Sequence, residues 1–152
     1  MVRALIVYSS LTGNTEACCD IVAEELENQG VEVTTFHAYD AMPEDYLSFD
    51  ICVLGSYAYG DHGVVPDEFE EFYEEMGQLN LSGKIYGVFG SGDTFYPTFC
   101  GQVDDFQARF DQTQATRGAE GVKVNLYPEE EDAERLVQFA RQLVETYQST
   151  AS

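Results

Sequence analysis

Short apolar runs alternate with helix-period segments along the whole chain. The runs are Arg3–Tyr8, Val31–Phe36, Asp50–Gly55, Lys84–Gly90 and Val122–Leu126. Within three of them, Ala4–Tyr8, Ile51–Gly55 and Ile85–Gly90, odd and even positions are apolar alike, as strands covered on both faces must be. Val31–Phe36 alternates more and reads as an edge strand. Between the runs, apolar side chains recur at helical spacing. Cys18, Ile21, Val22 and Leu26 form one such set, and Phe69, Phe72, Tyr73 and Met76 a second. Phe99, Val103, Phe106 and Phe110 form a third, and the most regular is Ala133, Leu136, Val137, Ala140, Leu143, Val144 and Tyr147. Gly30 marks the end of the first helix, and the acidic stretch Pro128–Asp132 the start of the last. Residues 40–49 show too little periodicity to predict a long helix.

The order β-α-β-β-α-β-α-β-α predicts an α/β fold, a doubly wound five-stranded parallel sheet of order 2-1-3-4-5 with helices on both faces. No linker, repeat or low-complexity stretch interrupts the pattern, so residues 1–152 are expected to form a single domain. Ligands of such sheets bind beyond the carboxyl ends of the strands, where strand order reverses. The loops after strands one, three and four are therefore the candidate site.

After strand one, Ser9-Ser10-Leu11-Thr12-Gly13-Asn14-Thr15 leads directly into a helix. Hydroxyls, an amide and a glycine gathered at a helix N-terminus, where backbone N–H groups point outward unpaired, are the parts of an anion cradle. Ordinary N-capping explains one or two such residues, not this many. The loop lacks the Gly-Lys-Ser/Thr ending of a nucleotide-hydrolase phosphate loop and the spacing of a dinucleotide fingerprint. No Lys or Arg lies between Arg3 and Lys84. A phosphate held by neutral donors alone is a static handle on a ligand. After strand three comes Gly55-Ser56-Tyr57-Ala58-Tyr59-Gly60-Asp61-His62-Gly63. After strand four comes Gly90-Ser91-Gly92-Asp93-Thr94-Phe95-Tyr96-Pro97-Thr98-Phe99-Cys100. Glycines there allow close backbone approach, and rings from two loops can sandwich a flat heterocycle. Each loop alone also reads as turns and sheet-end cover. Together with the cradle they describe a planar aromatic ligand carrying a phosphate on a tether.

Charge narrows the partners. The chain carries 7 basic against 28 acidic residues, a net charge of −21. Nucleic acids and anionic membrane surfaces would be repelled. The acidity is uneven: residues 4–83 hold 17 acids and no base, whereas residues 85–152 hold 11 acids and 5 bases. Solubility or a salt-rich habitat explains such a composition, and so does an electrostatic docking face for basic partners. A hydrophobic fraction of 44% argues against disorder. The apolar runs are too short to cross a bilayer, and residues 1–8 have no signal-peptide pattern, so a soluble cytoplasmic protein is expected, taken here as a monomer. Cys18, Cys19, Cys52 and Cys100 form no C-x-x-C pair or Cys/His cluster with His37 or His62, and buried free thiols are expected rather than a metal site. Adjacent Cys18 and Cys19 should face different sides of their helix.

The chain resembles the flavodoxin family over nearly its whole length. Ser10-Leu11-Thr12-Gly13-Asn14-Thr15 matches that family's phosphate loop. Tyr59-Gly60-Asp61 looks like its first isoalloxazine loop, and Gly92–Tyr96 with Phe99-Cys100-Gly101 like the second. A final strand without a long insertion is similar to the short-chain branch. The resemblance implies non-covalent FMN and low-potential one-electron transfer between semiquinone and hydroquinone, passing electrons between redox partner proteins rather than catalysing a reaction. By position, Ser10, Leu11, Thr12, Gly13, Asn14 and Thr15 would hold the phosphate, and Tyr59 and Tyr96 would flank the ring. Gly60 and Asp61 would lie near flavin N5. The backbone of Gly92, Asp93, Thr98 and Cys100 would meet the pyrimidine edge, with Ser56, Tyr57, Ala58 and Phe99 in the same loops. Two departures stand out. Tyr59 replaces a Trp common in relatives, and Ala58 replaces a common hydroxyl residue, leaving a donor to be supplied by Ser56 or water.

A response-regulator receiver shares this sheet order, but Ser9-Ser10 and Gly55-Ser56 stand where it needs acidic residues, and no Lys follows Leu126. A flavin-dependent reductase using a nicotinamide cofactor is the alternative; it would need a second site with basic residues, and none is visible.

Overall fold

A computed structural model describes residues 1–58, 65–95 and 98–151. Strands β1 (Arg3–Tyr8), β2 (Glu32–His37), β3 (Ile51–Tyr57) and β4 (Ile85–Gly92) lie parallel in the order β2-β1-β3-β4. The runs apolar on both faces occupy the interior lanes, and the alternating run forms the edge. Helices α1 (Asn14–Asn28) and α4 (Glu130–Ala151) cover one face. Helices α2 (Glu70–Met76) and α3 (Gly101–Asp111) cover the other. The two-residue period of the strands divides the core accordingly. Ala4, Ile6, Ile51 and Val53 pack with Cys18, Val22, Leu136 and Leu143. Leu5, Val7, Cys52 and Leu54 pack with Phe69, Phe72, Phe106 and Phe110 on the opposite face.

The fifth lane departs from the expected single strand. It holds β5 (Thr116–Arg117) beside Ile85–Tyr86 and β6 (Val122–Asn125) beside Phe89–Gly92, both parallel to β4. Between the two pieces the Gly121 N–H donates to Gln107 Oε1 at 3.0 Å. The sheet order 2-1-3-4-5 holds, with its last lane in two pieces. Residues 40–49, poor in periodicity, belong partly to two 3-10 helices, Ala38–Asp40 and Pro43–Ser48. The second buries Tyr46, whose hydroxyl donates to Val53 O at 2.7 Å.

All four cysteines are free and buried. Burial pushes the thiols of Cys18, Cys19 and Cys52 up to about 12 and that of Cys100 to about 11. Cys18 lies near Asp132, Arg135 and Cys100 and Cys19 near Glu16 and Asp20, so the two have different neighbours, while both belong to the core cluster beneath α1 and α4. With α1 covered by the sheet and by α4, its buried arc is wide enough for consecutive residues.

Where α1 meets α4, Glu25 accepts from Arg141 Nε and Gln29 Nε2, each at 2.8 Å. These bonds, the Arg141 one foremost, hold the Glu25 carboxyl below its ordinary range. A lowered native pKa stabilises the fold above the unfolded carboxyl's pKa, and the contribution fades as pH falls through the native value. Arg141 is half-exposed, so solvent screens the pair and Glu25→Gln should cost about 1 kcal/mol at neutral pH. Urea unfolding should show that difference shrinking in acid; a gap that widens in acid contradicts this account.

Candidate functional site

The carboxyl ends of β1, β3 and β4 meet where the order reverses between β1 and β3, and three loops leave from there. The first turns into α1 through Gly13, the helix N-cap, at φ 91°. That is the left-handed region, which costs a residue with a Cβ about 1–2 kcal/mol. As N-cap, Gly13 offers no side chain to the helix, and Ser10 reaches over instead. Its Oγ accepts from Gly13 N at 3.1 Å and Glu16 N at 3.3 Å. With both lone pairs engaged, the Ser10 proton is left to donate. Thr12 and Leu11 are exposed and Asn14 half-buried, whereas Thr15 is fully buried. Ser9, the first residue of that loop, is fully buried, and its hydroxyl has no hydrogen-bond partner among the described residues.

The second and third loops are tied together at their roots. Ala58 N donates to Ser91 O at 3.0 Å. Gln102 Nε2, fully buried in the first turn of α3, donates to Ser56 O at 3.0 Å and Ser91 O at 3.1 Å. Tyr57 is half-buried, and burial, with a hydrogen bond to Glu68, raises its phenol pKa. Ser56 is fully buried and donates to Tyr57 O at 2.9 Å, so it does not replace the donor that Ala58 lacks. In the third loop, Asp93 Oδ1 accepts from Phe95 N at 2.9 Å, and Asn125 Oδ1 from Thr94 N at 3.1 Å. Thr98 is exposed and Phe99 partly buried against the α2–α3 core. Cys100 is buried at φ 53° as the N-cap of α3. Tyr59, Gly60, Asp61 and Tyr96 lie outside the described residues.

Leu11, Thr12, Asn14, Tyr57, Ala58, Ser91, Gly92, Asp93 and Leu126 enclose a crevice of about 140 Å³. The structure thus brings the three predicted loops to one place. Ser91 and Leu126 were missed as wall residues, Leu126 because it follows the last strand. A larger hollow of about 520 Å³ beside α4 includes Arg117 and Arg135. It lies away from the strand ends, and its arginines are paired with Asp111 and Asp132. No group of His, Cys, Asp and Glu suited to a metal occurs among the described residues.

Gly90 packs against the Gln102 clamp and the end of β3. A Cβ there would stand 2.7 Å from Ser56 O and 2.8 Å from Gln102 Nε2. Gly90→Ala must therefore move strand backbone or the Gln102 clamp, and should destabilise the apoprotein by roughly 1–3 kcal/mol. An unchanged urea midpoint would contradict that packing.

Such a sheet, with an open helix N-terminus facing two glycine-rich loops at the switch point, defines a mononucleotide-binding α/β protein. The unpartnered Ser9 hydroxyl, and a Ser10 hydroxyl that already accepts twice and so has its proton left to give, suit a phosphate group. The family model for flavodoxin matches residues 6–139. Probable flavodoxin 2 of Bacillus subtilis is 38% identical over 143 residues, covering 93% of this chain and 94% of that protein. The solved structure of the Streptococcus pneumonia TIGR4 flavodoxin is 51% identical, with a TM-score of 0.92 over 95% of this chain and 99% of that one. A short-chain flavodoxin associated with a PDU bacterial microcompartment is 42% identical, with a TM-score of 0.94 over 97% and 99%. The chain belongs to the flavodoxin family, in its short-chain branch, and is an FMN-binding electron carrier rather than an enzyme.

Proposed function

We propose that residues 1–152 act as one cytoplasmic, monomeric FMN domain that docks basic redox partners. Bound FMN supplies the one-electron chemistry. Ser10, Leu11, Thr12, Gly13, Asn14 and Thr15 hold its phosphate through neutral donors and the positive end of the α1 dipole. Tyr59 and Tyr96 flank the ring, Gly60 and Asp61 face its N5 edge, and Gly92, Asp93, Thr98 and Cys100 present backbone to its pyrimidine edge. Tyr57, Ala58 and Phe99 complete the loops. The observation that carries this reading is the α1 N-terminus, opened at Gly13 and facing the same crevice as Ala58 and Ser91–Asp93.

The docking face is supported by charge. Asp67, Glu68, Glu71 and Glu75 line a groove of about 320 Å³ against Tyr39, Met42 and Pro43. Tyr39 and Met42 are 76% and 62% exposed, so apolar contact area sits beside carboxylates, a combination suited to weak, steered encounters with a basic surface. Among the described residues, no helix is long and apolar enough to cross a membrane. The absorption spectrum of the purified protein tests the reading. Flavin bands that do not bleach with a nicotinamide cofactor alone, but do with a reductase, are expected; direct bleaching would favour a reductase instead.

A further inference from the structure

We infer that Ser91 is a positioning residue for the phosphate cradle, fixing the direction of the Thr15 hydroxyl from the end of β4. The inference rests on the reading of Ser10–Thr15 as that cradle. Thr15 is fully buried near the start of α1, and its Oγ1 lies 2.6 Å from Ser91 Oγ. Two hydroxyls that share one hydrogen bond carry two protons, and only one lies between the oxygens. The other belongs to whichever residue accepts. With an anion at the α1 N-terminus, the favoured arrangement has Ser91 donating to Thr15 Oγ1 and Thr15 turning its own proton to the anion. The reverse would present an oxygen lone pair to negative charge. Accepting from Ser91 also polarises the Thr15 O–H and strengthens it as a donor.

Ser91 is held so that it cannot drift from this role. It is 3% exposed. Its carbonyl accepts from Ala58 N and from Gln102 Nε2, at 3.0 and 3.1 Å. One residue therefore joins all three loops: its hydroxyl reaches α1, its carbonyl anchors the second loop, and Gln102 ties it to the helix that follows the third.

The test is titration of the apoprotein with FMN and with riboflavin, for the natural chain, Ser91→Ala and Ser91→Cys. Ser91→Cys fills the volume with a poor hydrogen-bonding group and separates orientation from packing. Both variants should lower the FMN-to-riboflavin affinity ratio roughly tenfold. Equal loss of both ligands would make Ser91 a structural residue only and overturn the inference. So would an unchanged FMN-to-riboflavin ratio, or a loss in Ser91→Ala that Ser91→Cys restores. If the natural chain itself binds FMN and riboflavin equally, the cradle reading fails first, and that result is distinct from the other three.

Discussion

Riboflavin should bind the apoprotein at least about 100-fold more weakly than FMN, a difference of roughly 2.7 kcal/mol. Two effects of opposite sign compete. Hydrogen bonds to a charged group contribute about 1.5–3 kcal/mol each. The cradle offers several such donors: the Ser10 proton, Thr12, Asn14, Thr15 and the α1 amides behind Gly13. Against them stands a chain of net charge −21. A carboxylate about 10 Å from the phosphate opposes one unit of its charge by only about 0.4 kcal/mol in water-like dielectric, before screening. Direct donors at contact distance therefore win, and the phosphate gains affinity. The same balance gives a sign for salt: raising ionic strength screens the repulsion and should tighten FMN binding. Equal affinities for FMN and riboflavin would remove Ser10–Thr15 from the phosphate site.

Electron transfer to a basic partner should respond to salt in the opposite direction. Electrostatic steering raises encounter rates by about 10–1000-fold, and the Debye length shrinks from about 30 Å at 0.01 M to about 10 Å at 0.1 M. Stopped-flow transfer to a basic haem protein should therefore slow at least about tenfold between low and high salt. The double variant Glu71→Gln, Glu75→Gln should reproduce part of that loss at low salt and be less salt-sensitive. Its FMN affinity should be nearly unchanged, because these groups line the docking groove and not the cradle. A rate indifferent to salt in the natural chain would sink the docking face while leaving the flavin assignment intact. Tightening of FMN alongside slowing of transfer is the paired signature of neutral donors inside an acidic surface.

The identity of β1–β4 and of the α-helices was legible along the chain because periodicity is a local property. Residues 4–8, 51–55 and 85–90 are apolar on both faces, and only an interior lane covers both; they occupy β1, β3 and β4. The loop proposed as the anion cradle was legible for the same reason, since strand end, glycine turn and helix start fall within seven consecutive residues. What the chain could not reveal depends on neighbours from distant segments. Gln107, fourteen residues away, accepts from the Gly121 N–H between the two pieces of the fifth lane. The cover of α4 over α1 puts Cys18 and Cys19 in one core cluster. The roles of Ser9, Ser91, Gln102 and Leu126 likewise appear only once four strand ends converge. Ser91 and Thr15 stand 76 positions apart, yet their hydroxyls lie 2.6 Å from each other. Sequence spacing sets which face a residue takes on its own element. Only sheet order and helix packing decide which hydroxyl meets which, because hydrogen bonds at a strand end are made between lanes and not along them.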